Sequence, residues 1–150
     1  MATRVVSGFI GSYRGTLDAK NRVHIPAKLR QSSDVSLQVS VLTQGLDDCL
    51  ALFPRAEWER VQEKLESYSF AHREANFFTR TMMRFATEVT IDAQSRILIP
   101  PDLASEVGIV RDVRIVGMIR RIEIWPAEKF ESYFAGYGKS YEEVASRLLL

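Results

Sequence analysis

The sequence predicts an α+β fold: a small β-barrel of swapped-hairpin type, built from two internal repeats, with helices at its periphery. Three observations lead there. The chain repeats itself at a nearly constant offset, each copy opens with a hairpin signature, and one copy alone is too short to enclose a core.

The segment Tyr13–Arg30 (YRGTLDAKNRVHIPAKLR) aligns with Thr87–Ala104 (TEVTIDAQSRILIPPDLA) at an offset of 74. Thr16/Thr90, Asp18/Asp92, Ala19/Ala93, Arg22/Arg96, Ile25/Ile99, Pro26/Pro100 and Leu29/Leu103 are identical. Leu50–Glu59 (LALFPRAEWE) aligns with Ile122–Glu131 (IEIWPAEKFE) at an offset of 72. Shared order and spacing mark two copies of one module of roughly 50 residues. We assign residues 8–60 to the first repeat, 61–86 to a helical linker, 87–134 to the second repeat and 135–150 to a C-terminal helix.

Within a copy, Thr16-Leu17 and Val23-His24-Ile25 flank the polar run 18–22, a hairpin signature. Asn21 is the residue there that best tolerates positive φ; Ser95 takes its place in the second copy and is less comfortable in that conformation. Pro26 and Pro100 end the second strand and open a short helix, where a missing N–H costs nothing. Gly108 closes the second of these helices. Ser36–Leu42 and Val113–Val116, then Leu50–Phe53 and Ile122–Trp125, read as further strands. Pro54 and Pro126 open helices with Trp58, Val61 and Leu65, or Phe130, Tyr133 and Phe134, on the inner face.

Between the copies Phe70, Phe77, Phe78, Met82 and Phe85 recur at helical intervals, a stripe expected to face a core. Ser140 and Glu143 form a capping-box signature before Val144, Ala145 and Leu148. A module of four short strands and a helix cannot close a good core alone. Two copies that interleave their hairpins close a barrel and remove exposed edges. The repeats are therefore expected to form one structural unit with pseudo-twofold symmetry.

Composition narrows the function classes. The 150 residues carry 20 Lys+Arg, 19 Asp+Glu, two His and one Cys, with 46% hydrophobic content. That is ordinary globular composition and excludes disordered, collagenous and disulfide-rich classes. The single Cys49 fits no zinc spacing and suits a reducing cytosol. No apolar run approaches the ~18 residues of a membrane helix, so no membrane partner is expected. The net charge of +1 hides alternating blocks: residues 1–34 carry Arg4, Arg14, Lys20, Arg22, Lys28 and Arg30 against Asp18 and Asp34. Screening acts over ~8 Å, so a polyanion senses that local charge more than the total.

The pattern D-x-x-x-R-[VI]-x-I-P occurs twice, as DAKNRVHIP and DAQSRILIP. It resembles the AbrB/SpoVT family of swapped-hairpin barrels. The tandem arrangement, the L-x-L-F-P helix start and the length are similar to the MraZ family of bacterial transcriptional regulators, over roughly residues 8–145. That family usually has Gly where Asn21 and Ser95 stand. The resemblance implies sequence-specific binding of double-stranded DNA, generally repression, at direct repeats upstream of the protein's own division and cell-wall gene cluster. It also implies a ring-shaped homo-oligomer, octameric or larger, in the cytoplasm at the nucleoid. In such proteins the Asp-to-Arg turn carries the DNA-contacting Arg. This names Arg22 as the leading contact, with Lys20 beside it and Arg96 as its weaker counterpart.

Comparing the copies adds Arg14 and His24. Lys20, His24, Arg14 and Arg30 face Gln94, Leu98, Glu88 and Ala104 in the second copy. A purely structural repeat gives no reason to concentrate charge in one copy, whereas neutralising phosphates does. The Asp18/Arg22 and Asp92/Arg96 pairs also have a structural reading, since each Asp can pin its Arg across the turn. Copy one is expected to read DNA and copy two to complete the barrel and ring. Catalysis is not expected: His24 and His72 lie far apart, and no P-loop, G-x-S-x-G, dinucleotide fingerprint, metal site or cofactor motif is present. Asp47 and Asp48 beside Cys49 would raise its thiol pKa, against an activated nucleophile. The alternative is an antitoxin-like or scaffold protein that uses the same barrel for protein interaction.

Overall fold

The computed structural model describes residues 7–149. Arg4 of the basic N-terminal block and the final Leu150 lie outside the described residues.

Chain order gives β1 (Ser12–Thr16), β2 (Arg22–His24), α1 (Ala27–Gln31), β3 (Val39–Gln44), β4 (Leu50–Pro54), α2 (Arg55–Glu66) and α3 (Arg73–Met83). The second half gives β5 (Thr87–Thr90), β6 (Arg96–Leu98), α4 (Pro101–Val107), β7 (Asp112–Gly117), β8 (Ile122–Pro126), α5 (Ala127–Ala135) and α6 (Tyr141–Leu148). Each half thus runs strand–strand–helix–strand–strand–helix, as the repeat predicts. Prolines set the helix starts: Pro26, Pro54, Pro100 and Pro126 are the N-caps of α1, α2, α4 and α5. A fixed φ and no N–H to leave unpaired suit that position. Gly108 ends α4 in the left-handed region at φ 82, where its N–H reaches the Ala104 carbonyl.

The expected hairpin strands part company after their turn. Asp18 N–H donates to the Arg22 carbonyl at 2.9 Å, but β1 then pairs with β7 and β2 pairs with β6, both antiparallel. The β2–β6 pair forms a separate two-stranded ribbon. The other strands form one six-stranded antiparallel sheet in the order β1-β7-β8-β4-β3-β5. That order reads the same when the repeats are exchanged, so the pseudo-twofold runs between β8 and β4. The ribbon obeys it too: Val23 stands opposite Ile97, and the Ile25 and Ile99 amides donate to the Ser95 and Asn21 carbonyls at 2.8 Å.

One core joins the halves. Val23, Ile25, Leu29, Leu42, Leu50 and Leu52 meet Ile97, Ile99, Leu103, Ile115, Ile122 and Ile124, all essentially without solvent contact. Burying each such side chain contributes about 1.5–3 kcal/mol, so neither half retains its share alone. Gly15 keeps β1 close to this core, because a Cβ there would stand 3.0 Å from Ile115 and 3.3 Å from Val113.

Three expectations need correction. The stripe between the repeats does not face the core: Phe70 is 92% and Phe77 72% exposed, Phe78 is exposed too, and only Met82 and Phe85 are partly buried. In α5, Phe130 and Tyr133 pack on Trp125 with ring centroids 5.6 and 5.4 Å away, whereas Phe134 is 60% exposed. The strand expected at 36–42 begins at Val39, because the Ser33 and Ser36 hydroxyls accept the Val35 and Gln38 amides in local turns. The linker also differs in detail. Residues 61–66 continue α2, and α3 follows after a turn. The Ser140 hydroxyl accepts the Glu143 N–H at 3.1 Å, as its signature predicts.

Asn21 and Ser95 both adopt positive φ, 60° and 62°. Asn tolerates that region better than Ser, and Gly best. Ser95→Gly should therefore stabilise the fold by roughly 0.5–1 kcal/mol, while Asn21→Gly stays near neutral. Thermal melts of both variants check this, and an unchanged or lower midpoint for Ser95→Gly would contradict the strain assigned to that turn.

Candidate nucleic-acid interface

The two turns are built alike around a carboxylate. Asp18 Oδ1 accepts the Lys20 and Arg22 amides, each at 2.9 Å, and Oδ2 accepts Arg22 Nε at 2.9 Å. Asp92 does the same with the Gln94 amide at 2.9 Å, the Arg96 amide at 2.8 Å and Arg96 Nε at 2.9 Å. The Arg22 amide does most to hold the Asp18 carboxyl below its ordinary range, with the Lys20 amide and the Arg22 guanidinium adding to it. The Arg96 amide leads likewise at Asp92. An Asp is needed because it alone presents two acceptor oxygens at that reach from the backbone. Each Arg is thereby aimed, with its side chain partly exposed.

Alternation along the ribbon decides what the aimed heads face. Val23 and Ile97 point into the core, so Arg22 and His24 of β2 and Arg96 and Leu98 of β6 occupy the opposite, outer face. Arg22 stands opposite Leu98 and His24 opposite Arg96. The Cα atoms of the two arginines are roughly 8 Å apart, from the strand rise and the cross-strand spacing. The structure therefore brings Arg22, His24 and Arg96 onto one surface, with Lys20 exposed on the adjoining turn. Arg14 lies elsewhere. It projects from the other side of β1, where its register partner is Arg114, itself 3.9 Å from the Glu131 carboxylate.

The arginines differ in what remains available. Arg22 Nη1 and Nη2 make no hydrogen bond among the described residues, so an edge with two parallel donors is open. Arg96 Nη2 is held by Gln94 Oε1 at 3.0 Å. Two exposed residues escaped the sequence reading. Leu98, 53% exposed, adds an apolar contact to the outer face of the ribbon. Arg111 abuts the first turn because its carbonyl accepts the Leu17 amide at 2.8 Å. Charge blocks along the chain assign Arg111 to the second repeat, and only the swapped pairing carries it to the first. Elsewhere, burial pushes the Cys49 thiol far up, with the Glu123 carboxylate adding to the shift. Its Sγ–H donates to the Leu46 carbonyl at 2.9 Å.

A carboxyl held below its ordinary range stabilises the fold above its unfolded pKa, and that contribution is lost as pH falls through the folded value. Asp18→Asn should accordingly lower the denaturation midpoint at pH 7, and the difference should vanish in acid below the ordinary carboxylate range. Denaturant titrations at pH 7 and in acid test this. An equal difference in both would remove the charged turn as its cause.

Comparison with known proteins places the chain. The sequence model of the MraZ family, described as "MraZ protein, putative antitoxin-like", matches twice in tandem, over residues 9–81 and 82–150. A protein named "Transcriptional regulator MraZ" from Heliobacterium modesticaldum is 39% identical over 141 residues, covering 94% of this chain and 96% of the relative. Its namesake from Syntrophomonas wolfei is also 39% identical, with the same coverage. One from Symbiobacterium thermophilum is 40% identical over 139 residues, covering 93% of this chain and 99% of that protein. Two tandem matches over a fold of two tandem halves, with relatives aligned almost end to end, lead to one conclusion: the chain belongs to the MraZ family.

Proposed function

We propose that this protein is a transcriptional regulator that binds double-stranded DNA through the outer face of the β2–β6 ribbon and its first turn. One observation carries the reading. A surface that presents Arg22, His24 and Arg96 together leaves the Arg22 Nη edge unpartnered among the described residues, while its Nε is fixed by Asp18. Guanine offers O6 and N7 as two acceptors that such an edge meets bidentately. A two-stranded ribbon also fits a major groove ~12 Å wide. Relatives named as transcriptional regulators agree with this reading.

The finer architecture follows the same logic. Residues 8–60 and 87–134 act as two interlocked half-barrels of swapped-hairpin type, with 61–86 and 135–150 as helices outside them. The crosswise pairing of β2 with β6 supports that reading. Arg22 leads at the DNA, Lys20 and His24 assist, and Arg96 has a lesser part because Gln94 holds it. Arg14 serves from a different face, as a phosphate contact.

Several chains act together as a ring. The exposed Phe77 and Phe78 of α3, with Leu46, border an apolar crevice of about 660 Å³ between α2, α3 and the β3–β4 loop. The equivalent side of the second half instead shows Phe134, Tyr137 and Tyr141. Unlike apolar faces on one molecule favour head-to-tail contact, which closes into a ring when the rotation permits. The operator is then a set of direct repeats upstream of the protein's own division and cell-wall gene cluster, and binding there represses transcription. The working place is the cytoplasm, at the nucleoid. No helix among the described residues is long and apolar enough to cross a membrane.

Gel shifts on the chain's own upstream DNA, with the number of repeats varied, test the reading. Affinity should rise by about 10²-fold or more from one repeat to several, and Arg22→Ala should abolish discrimination between operator and scrambled duplex while fold and assembly persist. Equal affinity for one repeat and several would remove the ring. Unchanged operator binding by Arg22→Ala would remove the ribbon as the reading surface.

A further inference from the structure

We propose that the DNA-facing turn of the first repeat is completed by Arg111 of the second, and that Lys20 and Arg111 grip the phosphate backbone on either side of the base-reading Arg22. This rests on the DNA-binding reading above and specifies which charges beyond the ribbon face serve it.

The pseudo-twofold supplies an internal control. Both turns have the same backbone, the same positive φ at the fourth position and the same Asp–Arg pair. Two flanking positions differ. Beside the first turn stand Lys20 and Arg111; beside the second, the equivalent positions hold Gln94 and Gln38. The equivalence of Arg111 with Gln38 is read from the pairing: the Leu17 amide donates to the Arg111 carbonyl at 2.8 Å, and the Ile91 amide to the Gln38 carbonyl at 3.3 Å.

The two glutamines are spent internally. Gln94 Oε1 accepts Arg96 Nη2 at 3.0 Å, and Gln38 Nε2 donates to the Ile91 carbonyl at 3.4 Å. Their counterparts are not. Lys20 and Arg111 are exposed, and neither side chain has a hydrogen-bond partner among the described residues. The neighbouring Asp112 alternates to the other face of β7, opposite Thr16.

Backbone steps from Arg111 through Leu17 and Asp18 to Arg22 put the Cα atoms of the two arginines roughly 15 Å apart at most. Long side chains then converge on one surface, where Asp18 offsets a single charge. With Arg22 alone paired, to Asp18, the cations of Lys20 and Arg111 stay unneutralised within the chain and repel until an anion arrives. A nucleic-acid backbone answers that need, because each phosphate neutralised releases condensed counterions. The second turn, where Gln94 accepts from Arg96 and Gln38 donates to the Ile91 carbonyl, has no such requirement. Arg22 then supplies base discrimination, while Lys20 and Arg111 supply affinity without sequence preference.

The test uses the full chain with two fluorescent duplexes of equal length, one from the chain's upstream direct repeats and one scrambled, titrated by anisotropy at several salt concentrations. Arg111→Gln introduces the residue native to the equivalent position, and circular dichroism and the thermal midpoint confirm the fold. It should weaken both duplexes by the same factor, about 3–10-fold, and flatten the slope of log affinity against log salt by about 0.9 per engaged chain. The converse double change, Gln38→Arg with Gln94→Lys, should strengthen both duplexes and steepen that slope. Unchanged affinity and slope for Arg111→Gln, beside a loss for Arg22→Ala, would overturn the composite site and leave the DNA reading intact. No effect from either substitution would overturn both.

Discussion

Everything else in this structure depends on the antiparallel pairing of β2 with β6. Each strand is three residues long, and a ribbon of that size is unstable in water without a face to bury. Val23 and Ile97 provide that face, one from each half and both sealed from solvent. The pairing has three consequences. It ties the halves into one core, it fixes which side chains lie outside, and it sets the turns at opposite ends of the ribbon. A single half would lose the partner strand and half of the core together. The repeat is therefore a fused dimer in physical terms, in which folding and presentation of the basic surface are the same event.

A fused dimer is free to differentiate, and this one has done so on its exposed positions. Asp18 and Asp92 keep their bonds to within 0.1 Å of each other, because the turn fails without them. Positions whose side chains make no bond to that carboxylate diverge: His24 against Leu98, Lys20 against Gln94, Lys28 against Asp102. Constraint inside and divergence outside separate what holds the turn from what the turn is for. The same carboxylate serves both ends. By fixing Arg22 Nε it removes rotamer freedom that binding would otherwise have to remove, and it leaves the Nη edge facing outward.

Much of this was legible in the sequence, and what was not has a physical cause. The repeat, the proline-led helices, the Gly108 stop and the Asp–Arg turn are local, encoded within a few residues of where they act. The exchange of strand partners is not local: interleaved hairpins follow from the need to close a core, but period-2 patterning shows only that Thr16 and Val23 lie in strands, not with which strand each pairs. Arg111 was missed for that reason, since its place beside Leu17 exists only after β1 has paired with β7. Charge alone groups Arg14 with Arg22, while Gly15, whose Cβ would meet the side chains of Ile115 and Val113, fixes Arg14 on the opposite side of β1. The exposed Phe70 and Phe77 defeat hydrophobic periodicity differently. Phe70 lies in the turn before α3, and for Phe77 the pattern is the same whether a helix face packs on the chain's own core or stays at the surface.

That last ambiguity bears on how, in the proposed role, a protein of net charge +1 would meet a polyanion. One turn with three cations, one of them the aimed arginine, would make few phosphate contacts, and few contacts give weak, salt-sensitive binding. Raising the charge of the whole chain would strengthen it, but on every sequence alike, and would erode the advantage of the operator. Gathering the charge at one turn and repeating that turn across a rigid assembly avoids the trade. Each later contact is made at the effective concentration set by the first, so affinity grows only where DNA repeats match the spacing of the turns. On this logic the near balance of charge on the other helices, four Glu against three basic residues in α2 and two Glu against one Arg in α6, is part of the device. In the proposed role such surfaces add little attraction of their own, so that the spacing of repeats, and not bulk attraction, would decide where the protein rests.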